Sequence, residues 1–352
     1  MSERHPLQDG ETKQYPPQAR TLTDDKEAIC TVSTPLPILS TAATLQSQQA
    51  AIELCDLCKY FKTFLAVDHL SLQVEQGEIF GLLGPDGAGK TTLLNMMSGL
   101  NIPTSGEICV YGYKLPRELR QVRQILSTVP QQCMLYEELS AWDNLDFYAN
   151  LMGIPRKEKE LHLNSILMLV QLLEYRHAFV KTFSYSMKRR LVLGRALLRK
   201  PELIYLDEPA AGVDAQSRRA IWDYVLALRI LGKTVVIATS SLEEALELCD
   251  RIAILDRGKL VAVETPGQIK QCYGDIVVEL EMAHPFVALS ELQAVQGVQS
   301  AIQDGVHLVI VLQDSRRILP HIITLLAQQS EIKDISVREL RLGEIFPHLK
   351  GP

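Results

Sequence analysis

Two groups of residues, far apart in the chain, have the types and spacing that handle phosphate. The first is Gly84-Pro85-Asp86-Gly87-Ala88-Gly89-Lys90-Thr91, which fits G-x-x-x-x-G-K-[ST]. Glycines there let backbone N–H groups turn inward around phosphate oxygens. Lys90 would reach the outer phosphates, the Thr91 hydroxyl would take Mg²⁺, and Thr92 follows directly. Asp86 sets a negative charge beside the anion and should weaken binding slightly. The second group is Leu203-Ile204-Tyr205-Leu206-Asp207-Glu208, an apolar run that delivers two adjacent acids. Asp207 would hold Mg²⁺, and Glu208 would polarise an attacking water as general base. An apolar strand ending in Asp-Glu is a weak signal alone and a strong one downstream of such a loop.

The elements around these residues suit the chemistry. "LSLQVEQGEIFGLLG" reads as strand running into a glycine turn, and "KTTLLNMMSGL" as the helix after it. That helix would aim its positive end at the same phosphate. "PELIYLDEP" and "KTVVIATSS" read as short buried parallel strands. "RIAILDRGKLVAVETP" reads as a hairpin turning at Asp256-Arg257-Gly258, and "SLEEALELC" opens a helix near a capping box. After Gly274, "DIVVELEM" begins an independent βαββαβ pattern, whose second helix is weakened by Pro320.

Composition narrows the function classes. The chain has 352 residues and a formal charge of -6, so no basic field is available for nucleic acid. Lys188-Arg189-Arg190 reads as a solvated helix face. Seven scattered cysteines suit a reducing compartment, and Cys55-x-x-Cys58 reads as strand packing. No run is long and apolar enough to span a membrane, and no secretory signal is present. Any membrane part would come from another chain.

"FGLLGPDGAGKTTLLNMMSGL", "VPQ", "MKRRLVLGRALLRKPELIYLDEP", "AGVDAQSRRAIW" and "DRIAILDRGKLVAVETP" together resemble the nucleotide-binding subunits of ABC transporters. "KYFKTFLAVDHLSL" and "LRLGEIFPHLKG" are similar to the multidrug and antibiotic-export class. The resemblance implies an α/β P-loop NTPase: a RecA-like parallel sheet with a β-subdomain and a helical subdomain. A small C-terminal α+β, ferredoxin-like domain would follow. The expected division is a disordered tail over 1–50, the nucleotide-binding domain over 51–274 with its helical subdomain at about 132–198, and the C-terminal domain over 275–352.

The same resemblance implies roles. The ligands would be ATP and Mg²⁺, held by the loop from Gly84 to Thr92. Phe61, with Tyr60 as the alternative, would stack on adenine. Gln131 would join Thr91 and Asp207 around Mg²⁺ and the γ-phosphate, and Asp214 would link the two sites of a dimer. The partners would be separate membrane-spanning permease chains and a second ATP-binding subunit, identical or different. The chain would sit in the cytoplasm against the inner face of the membrane.

Two positions depart from that pattern. Where the family has Ser-Gly-Gly acting in trans on the partner's γ-phosphate, this chain has Ser184-Tyr185-Ser186. Where the family has a histidine ordering the γ-phosphate and water, this chain has Ser240, and no histidine lies between His177 and His284. The expectation is an ATPase of a transporter, of the export class by its motifs, with retained ATP binding and slow turnover. The alternative is a non-hydrolysing regulatory subunit. A soluble non-transport ATPase is a third reading, disfavoured by the single cassette and acidic charge.

Overall fold

The computed structural model describes residues 50–339 except 274–275, 287–288 and 314. The expected N-terminal tail and the last short helix after residue 339 lie outside the described residues.

The chain opens with two long strands, β1 (Ala50–Phe61) and β2 (Phe64–Glu75), followed by β3 (Ile79–Leu83) and helix α1 (Lys90–Met97). Next come β4 (Ser105–Val110), β5 (Tyr113–Leu115), α2 (Leu119–Ile125) and β6 (Leu126–Val129). A helical block follows: α3 (Ala141–Leu151), α4 (Arg156–Leu169) and α5 (Tyr185–Ala196). Then β7 (Leu203–Asp207), α6 (Ala215–Ile230), β8 (Thr234–Thr239), α7 (Leu242–Leu248), β9 (Arg251–Asp256), β10 (Lys259–Glu264) and α8 (Pro266–Tyr273) complete the first part.

The central sheet has the order β10-β9-β3-β8-β7-β6. All of its pairings are parallel except β9 with β10. Its middle strands are apolar on both faces because both faces are covered. Along β3, Ile79 and Leu83 point into one core with the helical block, while Phe80 and Leu82 point into another with α1 and the β1–β2 hairpin. The side-chain alternation of one strand thus serves two cores. The parallel arrangement gathers the C-terminal ends of β3, β7 and β8 at one edge, where open α/β sheets bind ligands.

A separate antiparallel sheet has the order β2-β1-β4-β5. In β1, Cys58 is buried and Cys55 exposed, so only the former packs as strand core. In the central sheet, the β9–β10 hairpin turns at Arg257-Gly258, both left-handed, as its sequence indicates.

The C-terminal part is β11 (Ile276–Met282), α9 (Leu289–Gln293), β12 (Val298–Asp304), β13 (His307–Leu312), α10 (Ser315–Gln329) and β14 (Ile332–Glu339). Its strands pair antiparallel in the order β12-β13-β11-β14, the ferredoxin-like arrangement. Helix α10 continues through Pro320, because Ile322 and Leu326 are fully buried in the small domain's core and hold it in place. No helix among the described residues is long and apolar enough to cross a membrane.

Candidate functional site

The phosphate loop leaves β3 at Leu83 and enters α1 at Lys90. Gly89 has φ 100°, and a Cβ there would stand 2.6 Å from the Ala66 carbonyl oxygen. Both conformation and space therefore exclude other residues. A Cβ on Gly84 would meet the Leu255 carbonyl oxygen at 2.5 Å, so this glycine lets the loop lie against β9.

Lys90 is buried, and its ammonium donates to the carbonyls of Gly84 (2.6 Å) and Pro85 (3.1 Å). It also lies 3.5 Å from Glu208 Oε1. Thr91 Oγ1 donates to Asp207 Oδ2 at 2.9 Å. The loop and the acid pair are thus brought into direct contact at the C-terminal edge of the sheet.

Burial pushes the carboxyl pKa of Asp207 up, against the opposing effects of Thr91, Lys90 and Arg189. Burial likewise raises that of Glu208, although Lys90 and Ser240 pull it back. Asp207 Oδ1 and Glu208 Oε1 are buried without a hydrogen-bond partner. Glu208 adopts φ 47°, a left-handed turn that is strained for a side-chain-bearing residue. Carboxylate, hydroxyl and amide oxygens here form a hard donor set that fits Mg²⁺, and Asp207 Oδ1 is left open while Oδ2 accepts from Thr91.

A cavity of about 200 Å³ is lined by the residues from Asp86 to Thr92, together with Gln131, Glu208, Phe64 and Ala66. Gln131 is thus placed beside the phosphate loop. Phe61 is not among these lining residues. It pairs across the hairpin with Phe64, is 44% exposed, and lies under the Lys59 ammonium. The tight β1–β2 turn puts Phe64, on the returning strand, at the cavity. The sequence points to Phe61 or Tyr60 and not to Phe64, because which strand of the hairpin faces the loop is set by packing.

Ser240 follows β8 directly, and its hydroxyl donates to Glu208 Oε2 at 3.4 Å. The position read as the absent histidine therefore does adjoin the acid pair.

Ser184 caps α5, its Oγ accepting from the Met187 N–H at 3.2 Å and lying 2.9 Å from Ser186 Oγ. Tyr185 opens the helix, about half exposed, with its ring beside Gly212: a Cβ on Gly212 would stand 3.7 Å from Tyr185 Cε1. Neither Tyr185 nor Ser186 has a positive φ, so glycine's conformational range is not required at these two positions. What the side chains change is the space above the helix end. Asp214 caps α6 through Ser217, whose side-chain hydroxyl and backbone N–H lower its pKa.

The basic cluster on α5 corrects the sequence reading. Arg189 is fully buried, not solvated. Its guanidinium donates to the carbonyls of Pro209 (2.9 Å), Gln131 (3.0 Å), Asp207 (2.8 Å) and Glu208 (3.0 Å), and to Pro130. One side chain therefore ties α5 to the Gln131 segment and to the acid pair, with its donors engaged. The signal was present: Arg189 shares a helical face with Val192, Leu193 and Ala196, all buried. Of its neighbours, Lys188 pairs with Glu137 and Arg190 reaches the Val170 carbonyl.

Residues 67–211 match the family model described as ABC transporter. The chain is 39% identical over 218 residues to the linearmycin resistance ATP-binding protein LnrL of Bacillus subtilis, covering 62% of this chain and 70% of that protein. It is 32% identical over 306 residues to the daunorubicin/doxorubicin resistance ATP-binding protein DrrA of Streptomyces peucetius, covering 86% of this chain and 92% of that one. Among solved structures, an ATP-binding subunit of an ABC transporter matches with TM-score 0.57 at 28% identity, over 64% of this chain and 93% of that chain. The fold is shared with CbiO1 of Clostridium perfringens, with TM-score 0.60 at 20% identity over 70% and 96% of the two chains.

Proposed function

The chain belongs to the ATP-binding subunits of ABC transporters, and on that premise we propose that it binds Mg-ATP and hydrolyses it slowly to drive export through separate membrane-spanning chains. The observation that carries this reading is the contact of Lys90 and Thr91 with the acid pair Glu208 and Asp207. In this reading Gly84–Thr92 and Gln131 hold the phosphates, and Phe64 or Phe61 receives the base. Mg²⁺, held by Thr91, Asp207 and Gln131, would neutralise charge developing on the phosphates. Glu208 would accept a proton from the attacking water, which its raised pKa favours at neutral pH.

Export rests on the chain's likeness to ATP-binding proteins of linearmycin and daunorubicin/doxorubicin resistance. A permease partner is supported by a cavity of about 440 Å³ beside Gln131, lined in part by Leu94, Leu100 and Met134. Leu100 and Met134 are more than 60% exposed there, apolar surface that a second chain would cover. The partner ATP-binding subunit is a second copy or a related chain, with Tyr185 and Ser186 facing its phosphates. The subunit would then work at the cytoplasmic face of the membrane.

A second reading, a regulatory subunit that binds ATP without hydrolysis, is favoured by Ser240 in contact with Glu208. Phosphate release from the purified chain, alone and with its permease, separates the two. We expect slow release that falls roughly 10²–10⁴-fold in Glu208→Gln while nucleotide binding persists. Binding with no release in either setting would establish the regulatory reading instead.

A further inference from the structure

At the opposite end of the central sheet, Arg120 and Arg123 of α2 converge with Arg199, in the turn after α5. With Leu119 and Gln124 they line a cavity of about 700 Å³. The topology explains the meeting. α2 feeds the start of β6 and Arg199 precedes the start of β7, and these starts pair at Leu126 and Leu203. Asp207 ends β7, so the arginines lie beyond the far end of a five-residue strand, roughly 13 Å of rise from the acid pair. This cavity shares no lining residue with the phosphate loop's cavity.

Among the described residues, no carboxylate pairs with Arg120, Arg123 or Arg199. The nearest acid in sequence, Glu118, accepts from the Lys114 backbone N–H at 2.7 Å. Arg120 and Arg123 stand three apart on a seven-residue helix, a like-charge spacing that costs stability. Three guanidiniums without a carboxylate partner, facing one cavity in a chain of net charge -6, form a local positive patch that attracts an anion. Guanidinium forks match phosphate oxygens in pairs, and the Gln124 amide adds a donor. We propose that this cavity is a second anion site, separate from the ATP site, for a small soluble ligand bearing more than one phosphate.

Isothermal titration with inorganic tripolyphosphate, on the full chain carrying Lys90→Ala, reads this site with the loop's cation removed. The expected result is saturable binding that weakens about tenfold for each arginine changed to glutamine, the scale of one charge-assisted hydrogen bond. The three arginines are exposed, so no core packing is lost. If the triple variant melts early, Arg199→Gln alone, outside α2, makes the same comparison. No binding to the Lys90→Ala chain, or equal binding by the arginine variants, would overturn the proposal. A parallel arm sediments the chain with phosphatidylglycerol vesicles. Arginine-dependent vesicle binding without tripolyphosphate binding would assign the cavity to a lipid headgroup and overturn the soluble ligand.

Discussion

Ser240 donates its hydroxyl to Glu208 Oε2 across 3.4 Å, so the residue after β8 touches the acid that follows β7. A histidine at this place would carry a ring nitrogen towards the same region. Ser240→His should therefore raise phosphate release by tenfold or more, within the roughly 10²–10⁴-fold range of a positioned acid–base group. Adding Tyr185→Gly with Ser186→Gly should raise it again, because space opens above the end of α5. Steady-state phosphate release measures both steps; an unchanged rate in each would mean that neither substitution limits turnover.

Phe64 lines the phosphate-loop cavity and Phe61 does not. Stacking of a base on an aromatic ring is worth about 1–3 kcal/mol. Phe64→Ala should weaken ATP binding about tenfold, and Phe61→Ala should weaken it much less. Fluorescence titration with a labelled nucleotide ranks the two, and the reverse order would return the adenine to Phe61.

Arg189 supplies every bond that joins α5 to the carbonyls of Asp207, Glu208 and Gln131. Arg189→Met keeps the length of the side chain and leaves those buried acceptors unmet. Loss of stability of about 1–3 kcal/mol or more is expected, the cost of leaving buried neutral acceptors unmet. Chemical denaturation measures it. Arg189→Lys, with fewer donors in a less suitable geometry, should recover only part.

Burial raises the pKa of Glu208 despite Lys90 at 3.5 Å. Between the ordinary glutamate value and the raised one, the folded chain keeps a proton that the unfolded chain has released. Stability in the absence of ligand must then fall as pH rises through that window, and the contribution is fully lost above it. Glu208→Gln removes this dependence. At neutral pH the variant should be more stable than the parent. At a pH below the ordinary carboxylate range the gap should close. Melting temperatures across that range test the sign.

Local patterns carried much of the architecture. The glycine loop, the strand that ends in Asp207-Glu208 and the Arg257-Gly258 turn are short-range features, fixed by backbone conformation and apolar periodicity, and each lies where its residues indicate. The βαββαβ order of the C-terminal part was legible for the same reason. Contacts between distant segments were not. Whether Phe61 or Phe64 reaches the loop depends on how the β1–β2 hairpin packs on α1. Arg189 was read as solvated because three adjacent basic residues suggest a surface, yet the α5 face that packs on the sheet takes only one of them inside. The meeting of Arg120 and Arg123 with Arg199 depends on the parallel pairing of β6 with β7. Types and spacing determined the chemistry available to this chain; tertiary packing decided which side chains stand close enough to use it, because distance and desolvation arise only when separate elements meet.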